Sequence, residues 1–135
     1  MCRCRCCAQA FKVSVSVDPQ HGEALNNIAV LEMRRQKFDF AKSCFHTAAE
    51  VSAHAFEPFY NSALMAYRMV FIHTYIHTYM HTCCVTSRGV CCVCVFCQGD
   101  FQEAHQFTSK ALRLHPGHMD SKELLTLLQK SFLNS

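Results

Sequence analysis

The chain of 135 residues has no tryptophan, and only 17% of its residues are charged. It has no run of about 18 apolar residues, which excludes an ordinary membrane-spanning helix and hence a direct membrane span. Its net charge of +3 is mild, and no cluster of Lys or Arg forms the basic stripe that a nucleic-acid partner needs. Lys12 interrupts the N-terminal apolar stretch before it reaches signal-peptide length, so export is not expected. There is no glycine-rich phosphate loop, no nucleophile beside a base and no paired carboxylates set for acid–base work. Catalysis and a bound cofactor are therefore not expected.

Cysteine is the exception to this sparseness, with 11 residues. Cys2, Cys4, Cys6 and Cys7 crowd the start, and six more lie between Cys83 and Cys97, leaving Cys44 by itself. A disulfide-stapled fold spreads its cysteines through its structural elements, which this clustering does not do. The distribution points to a reducing compartment and to Cys44 as an inert, half-buried thiol. The opening Met1–Cys7 is low complexity. S-acylation there would tether the chain to a membrane, but no second anchor accompanies it.

The organising stretch runs from Gly22 to Ala49. Apolar or small residues fall at Leu25, Ile28, Ala29 and Leu31, then at Phe38, Ala41, Phe45 and Ala48. Both sets have the three-and-four spacing of a helix with one buried stripe. The polar run Arg34-Arg35-Gln36-Lys37 between them predicts a turn. The spacing of Ala41, Phe45 and Ala48 is that of the second helix of a tetratricopeptide unit of about 34 residues. Shifted by one period, Asn27 meets Asn61, Ala29 meets Ala63 and Met33 meets Tyr67. The register breaks after Arg68 and resumes at Gln98-Gly99-Asp100-Phe101, with Ala104, Ala111 and Pro116 in the expected places. Leu25 and Phe59 stand where a repeat usually carries tryptophan, and Thr108 where a large apolar residue is expected.

Residues 69–97 interrupt that register. Ile72-His73-Thr74-Tyr75 recurs as Ile76-His77-Thr78-Tyr79 and then, altered, as Met80-His81-Thr82-Cys83. A repeated ATAC tetranucleotide encodes the first pattern, and a TG dinucleotide repeat encodes alternating Cys and Val as in Val93-Cys94-Val95. The segment therefore reads as translated simple-repeat sequence inside a normal repeat. Its competing chemistry is a metal site. His73, His77 and His81 share one helical face, and Cys91, Cys94 and Cys97 have the spacing of zinc ligand pairs. A second, separated ligand pair is missing, so no metal is assigned.

The chain thus divides into a low-complexity start (1–7), the tail of a first repeat (8–20), a complete repeat (22–55), a second repeat interrupted by 69–97 (56–116) and a C-terminal capping helix (117–135). The expected fold is all-α: a tetratricopeptide-repeat α-solenoid fragment of antiparallel helix hairpins plus that cap. The tail should bury Ala10, Phe11, Ser14 and Val17. Asp100 is placed to cap the returning helix. Asp120-Ser121-Lys122-Glu123 has the form of a capping box, and Leu124, Leu125, Leu127, Leu128 and Phe132 give the last helix an apolar face.

Several stretches go beyond a generic repeat: His21-x-Glu23-Ala24-x-Asn26-Asn27-x-Ala29-Val30-Leu31-Glu32-Met33-Arg34, Thr47-Ala48, Glu57-Pro58 with Asn61, Gly99-Asp100-x-Gln102, and Pro116-x-His118-x-Asp120. Over 10–68 and 98–132 they resemble the C-terminal end of the tetratricopeptide-repeat subunits of the BBSome, the Bardet–Biedl syndrome family. The resemblance implies a non-enzymatic scaffold in a cytoplasmic and ciliary setting, at the basal body or centrosome. It also implies roles in cilium assembly and ciliary membrane-protein transport, with the other subunits of a BBSome-like complex as partners. A second class stays open: a stand-alone peptide-binding module of co-chaperone type, gripping a carboxylate tail through Asn26, Arg34 and Arg68. In either class the groove is expected to present Asn26, Val30, Met33 and Arg34 from one first helix and Tyr60, Leu64, Tyr67 and Arg68 from the next. Glu23 and Glu57 lie at the starts of those faces.

Overall fold

The computed structural model describes residues 5–80 and 92–133, with side-chain surroundings for 6–70 and 100–131. Six helices follow one another: α1 (Arg5–Val17), α2 (Gly22–Arg34), α3 (Phe38–Val51), α4 (Glu57–Met80), α5 (Cys92–Leu114) and α6 (Met119–Leu133). Each packs on the next, α2 with α3 and α4 with α5 forming the two most extensive pairs. The first helices of successive units also touch, α2 against α4 and α4 against α6.

Histidine starts two of these helices. The Ala24 N–H donates to His21 Nδ1 at 3.3 Å, which caps α2. The Ser121 N–H donates to His118 Nδ1 at 3.2 Å, and the Ser121 hydroxyl lies 2.8 Å from the same nitrogen. The cap of α6 is therefore His118 rather than Asp120, which falls inside the first turn, where its charge suits the helix dipole. At the other end of α2, Gln36 adopts a left-handed φ of 63°. That lets the Lys37 N–H reach the Glu32 carbonyl and the Gln36 N–H reach the Met33 carbonyl, each at 3.0 Å. This is the Schellman closure, which usually takes glycine. Gly22 admits a second close approach, since a Cβ there would lie 2.0 Å from Ser52 Oγ at the end of α3.

Small residues sit where helices cross. Ala29, Ala41, Ala48, Ala63, Ala104 and Ala111 are all fully buried. One core joins Ile28, Ala29, Met33, Ala41, Cys44, Phe45 and Met65. A second joins Ala63, Ala66 and Ala104 to Leu124 and Leu128 of α6. Thr108 is completely buried in place of a large residue, its hydroxyl donating to the Ala104 carbonyl at 2.7 Å. Glu32 is buried too, held by Arg35 Nη1 at 2.7 Å with Lys37 Nζ at 4.0 Å.

Several expectations need correction. Helix α1 starts at Arg5 and turns Ala8, Phe11 and Val15 inward, while Val17 is 82% exposed and Ala10 is exposed. Helix α4 runs on past Arg68, where the repeat register breaks, to Met80, and 69–80 contains neither glycine nor proline to break it. Helix α5 likewise begins at Cys92, so Asp100 lies within it and does not cap it. On α6, Leu124 and Leu128 are buried but Leu127 is 45% exposed. The side chain of Phe132 lies outside the described residues.

Candidate functional site

The expected groove lies along α2 and α4, and the structure distributes its eight residues unevenly. Asn26 is buried, and its Oδ1 accepts from Asn61 Nδ2 at 3.0 Å. That bond ties the two first helices together through the Asn26 carbonyl oxygen. Met33 is 7% exposed and belongs to the core between α2, α3 and α4. Val30 packs on the edge of the same core. These three are packing residues first.

On α4, Tyr60 and Tyr67 are half-buried against the core shared with α6. The Tyr60 ring meets His118 edge-on, with centroids 4.8 Å apart. Burial pushes the Tyr60 phenol above its ordinary range; the Asp120 carboxylate adds to that, Arg68 opposes it and Glu123 reinforces it. Burial raises the Tyr67 phenol as well. Leu64 is half-buried, and Arg34 and Arg68 are exposed. The face therefore carries two tyrosines, Leu64 and Arg68, with the acids Asp120 and Glu123 of α6 near Tyr60. No stretch of sequence announced those two acids as neighbours of α4, because the helix α6 that brings them is far along the chain.

The starts of α2 and α4 enclose a recess of about 230 Å³ that includes Glu23, Asn26, Ser52 and Glu57. Its two acids oppose an anion at these helix ends. Among the described residues no group of three or more His, Cys, Asp or Glu is placed to hold a metal. His81 and Cys91 lie outside the described residues, as do the side chains of His73, His77, Cys94 and Cys97. No helix among the described residues is long and apolar enough to cross a membrane.

Antiparallel helix pairs stacked so that their first helices touch in succession define an α-solenoid of tetratricopeptide-repeat type. No protein-family model matches the chain. It is similar to tetratricopeptide repeat protein 8 of Homo sapiens and of Mus musculus, 25% identical to each over 124 residues. The match takes in 92% of this chain but only 18% of either relative. The relationship to a tetratricopeptide-repeat protein is distant. It agrees with the fold and with a protein-interaction module as the broad function.

Proposed function

We propose that this chain is a non-catalytic interaction scaffold corresponding to the C-terminal part of a protein like tetratricopeptide repeat protein 8. In this reading it acts within a BBSome-like complex, at the cilium and basal body, in membrane-protein transport and cilium assembly. The observation that carries the scaffold reading is the persistence of the repeat on both sides of 69–97; its BBSome part rests on the 25% identity to tetratricopeptide repeat protein 8. Ala41, Phe45 and Ala48 are buried on α3, and Ala104, Thr108 and Ala111 are buried on α5. Each pair stands 63 positions apart, one period of about 34 plus the 29 residues of 69–97. The capping histidines obey the same rule, 97 positions apart, which is two periods plus the same segment. Gly99 then falls in the register of Gln36, the left-handed position at which glycine is favoured. In this reading the chain holds the tail of one repeat (8–20), one complete repeat (22–55), one repeat interrupted by 69–97 (56–116) and a closing helix (117–135).

The partner face in this reading is Tyr60, Leu64, Tyr67 and Arg68 with the exposed Arg34. An apolar, tyrosine-bearing strip of this kind suits a partner helix. The carboxylate-tail reading has less support, because Asn26 is buried and the Tyr60 end is flanked by the acids Asp120 and Glu123. The test is co-purification of the tagged chain from ciliated cells, with and without 69–97, quantified for BBSome subunits against a tag-only control. Enrichment of those subunits, lowered by Leu64→Asp, supports the scaffold. No enrichment by either form removes the BBSome reading. Tight binding of an acidic C-terminal peptide in a parallel titration would favour the co-chaperone class instead.

A further inference from the structure

Among the described residues the second helices α3 and α5 do not pack against each other as the first helices do, and a groove floored by α4 runs between them. It holds a cavity of about 200 Å³. Met65 and Ala66 form its buried floor, with Phe38, Met69 and Phe107 half-buried around them. The one hydroxyl in the floor, on Ser62, already donates to the Pro58 carbonyl at 2.7 Å. The rim is charged, with the carboxylates of Asp39, Asp100 and Glu103 and the amine of Lys42. Lys42 Nζ lies 2.7 Å from Glu103 Oε2, across the groove. His46, also on the rim, sits 3.4 Å from Glu50.

We propose that this cavity binds a cationic amphipathic helix of a partner protein, one aliphatic side chain seated on Met65 and Ala66 and Lys or Arg set against the acidic rim. Size selects a side chain over a cofactor, since small-molecule pockets run from about 300 Å³ upward. The trough between two helices has the shape that a third helix fills. Methionine at two points of the lining adapts to the shape of an inserted group. Charge selects the sign: the rim is acidic although the chain as a whole carries +3. A cationic helix is thus drawn to this groove and not to the protein at large. The site lies apart from the tyrosine strip of α4 and does not depend on the BBSome reading.

The test titrates the full chain, its methionine methyls labelled with carbon-13, with two fluorescein-tagged helical peptides. One has a leucine stripe flanked by lysines, and the other has every lysine replaced by glutamate. The lysine peptide should saturate in fluorescence anisotropy and shift the Met65 and Met69 methyl signals, leaving that of Met119 on α6 in place. Asp39 is exposed, so Asp39→Asn keeps the fold, and it should weaken binding about threefold, with further loss in added salt. Three results overturn the site: no saturation by the lysine peptide, equal binding of the glutamate peptide, or saturation that leaves Met65 and Met69 unmoved.

Discussion

The α2–α3 and α4–α5 hairpins place alanine at the same crossing points but fill the space around them differently. In the first, Phe45 is the buried plug and Cys44 the small neighbour. In the second the order is inverted: Thr108 is buried at the Phe45 register, and Phe107 stands at that of Cys44. The missing volume returns through Phe59, 2% exposed and 6.5 Å from Phe107 between ring centroids, where the first hairpin has the smaller Leu25. The amine of Lys110 lies 4.2 Å from the Phe59 ring centroid. What the repeat holds constant is the small residue at each crossing and the total volume, not the residue at each site. The turns differ as well. The first hairpin closes on Gln36, while both helices of the second continue past the point where the first turns.

The sharpest way to break the comparison is to substitute the two matching sites. Phe45→Ala should cost about 3–5 kcal/mol, a large part of a marginal stability, and leave the chain largely unfolded by circular dichroism. Thr108→Val, at the matching site, should change the urea midpoint little, because the Ala104 carbonyl it frees keeps a helical partner. Comparable losses at both positions would show that Thr108 carries as much of its core as Phe45 does, and that the load was not moved to Phe107 and Phe59.

Removing 69–97 tests the difference in turns. It rejoins Arg68 to Gln98 and moves Gly99 from within α5, where glycine costs about 1 kcal/mol, to a left-handed turn that favours it. Together with a shorter loop to close, the deletion should raise stability by about 1–3 kcal/mol and sharpen the calorimetric transition. A lower midpoint would mean that the extended hairpin is a structural part of the protein. Gln36→Gly applies the same logic to the first hairpin, where it relieves the left-handed strain of a residue with a side chain. A gain of about 0.5–1 kcal/mol in denaturant melts is expected.

The smallest effect concerns Cys44, whose thiol is pushed up first by burial and then by the Glu32 carboxylate. The folded chain holds this proton to higher pH than the unfolded chain does. Stability is therefore full below the unfolded thiol's range and falls as pH rises from there through the folded thiol's higher range. A stepwise pH series of urea melts on the parent chain should show this loss, and Cys44→Ala should flatten it. The phenols of Tyr60 and Tyr67 are raised too, so their loss follows at higher pH in both proteins.

The helical hairpin and its buried alanines were legible because periodicity and small residues are local signals that survive any tertiary context. The caps were not, since histidine is not among the usual capping residues. Nor was the reach of α4 and α5, because a broken repeat register is not a broken helix, and 69–80 has no glycine or proline to break one. Asn26 and Met33 were expected at a groove from their place on the helix. The second contact face of α2, toward α4, is invisible until the next unit is in position. For the same reason the groove between α3 and α5 has no signature in either helix taken by itself.

That groove also bears on how the molecule deforms. Successive first helices are in contact and pinned by the Asn26–Asn61 amide bond, while α3 and α5 are bridged across open space by the Lys42–Glu103 pair. A bend about α4 therefore changes the α3–α5 gap more readily than the α2–α4 seam. An exposed ion pair worth about 1 kcal/mol at most is a weak spring against such a bend. The array behaves as a leaf hinged along one edge, its curvature soft in one direction and stiff in the other, and whatever seats itself between α3 and α5 sets the angle at which it rests.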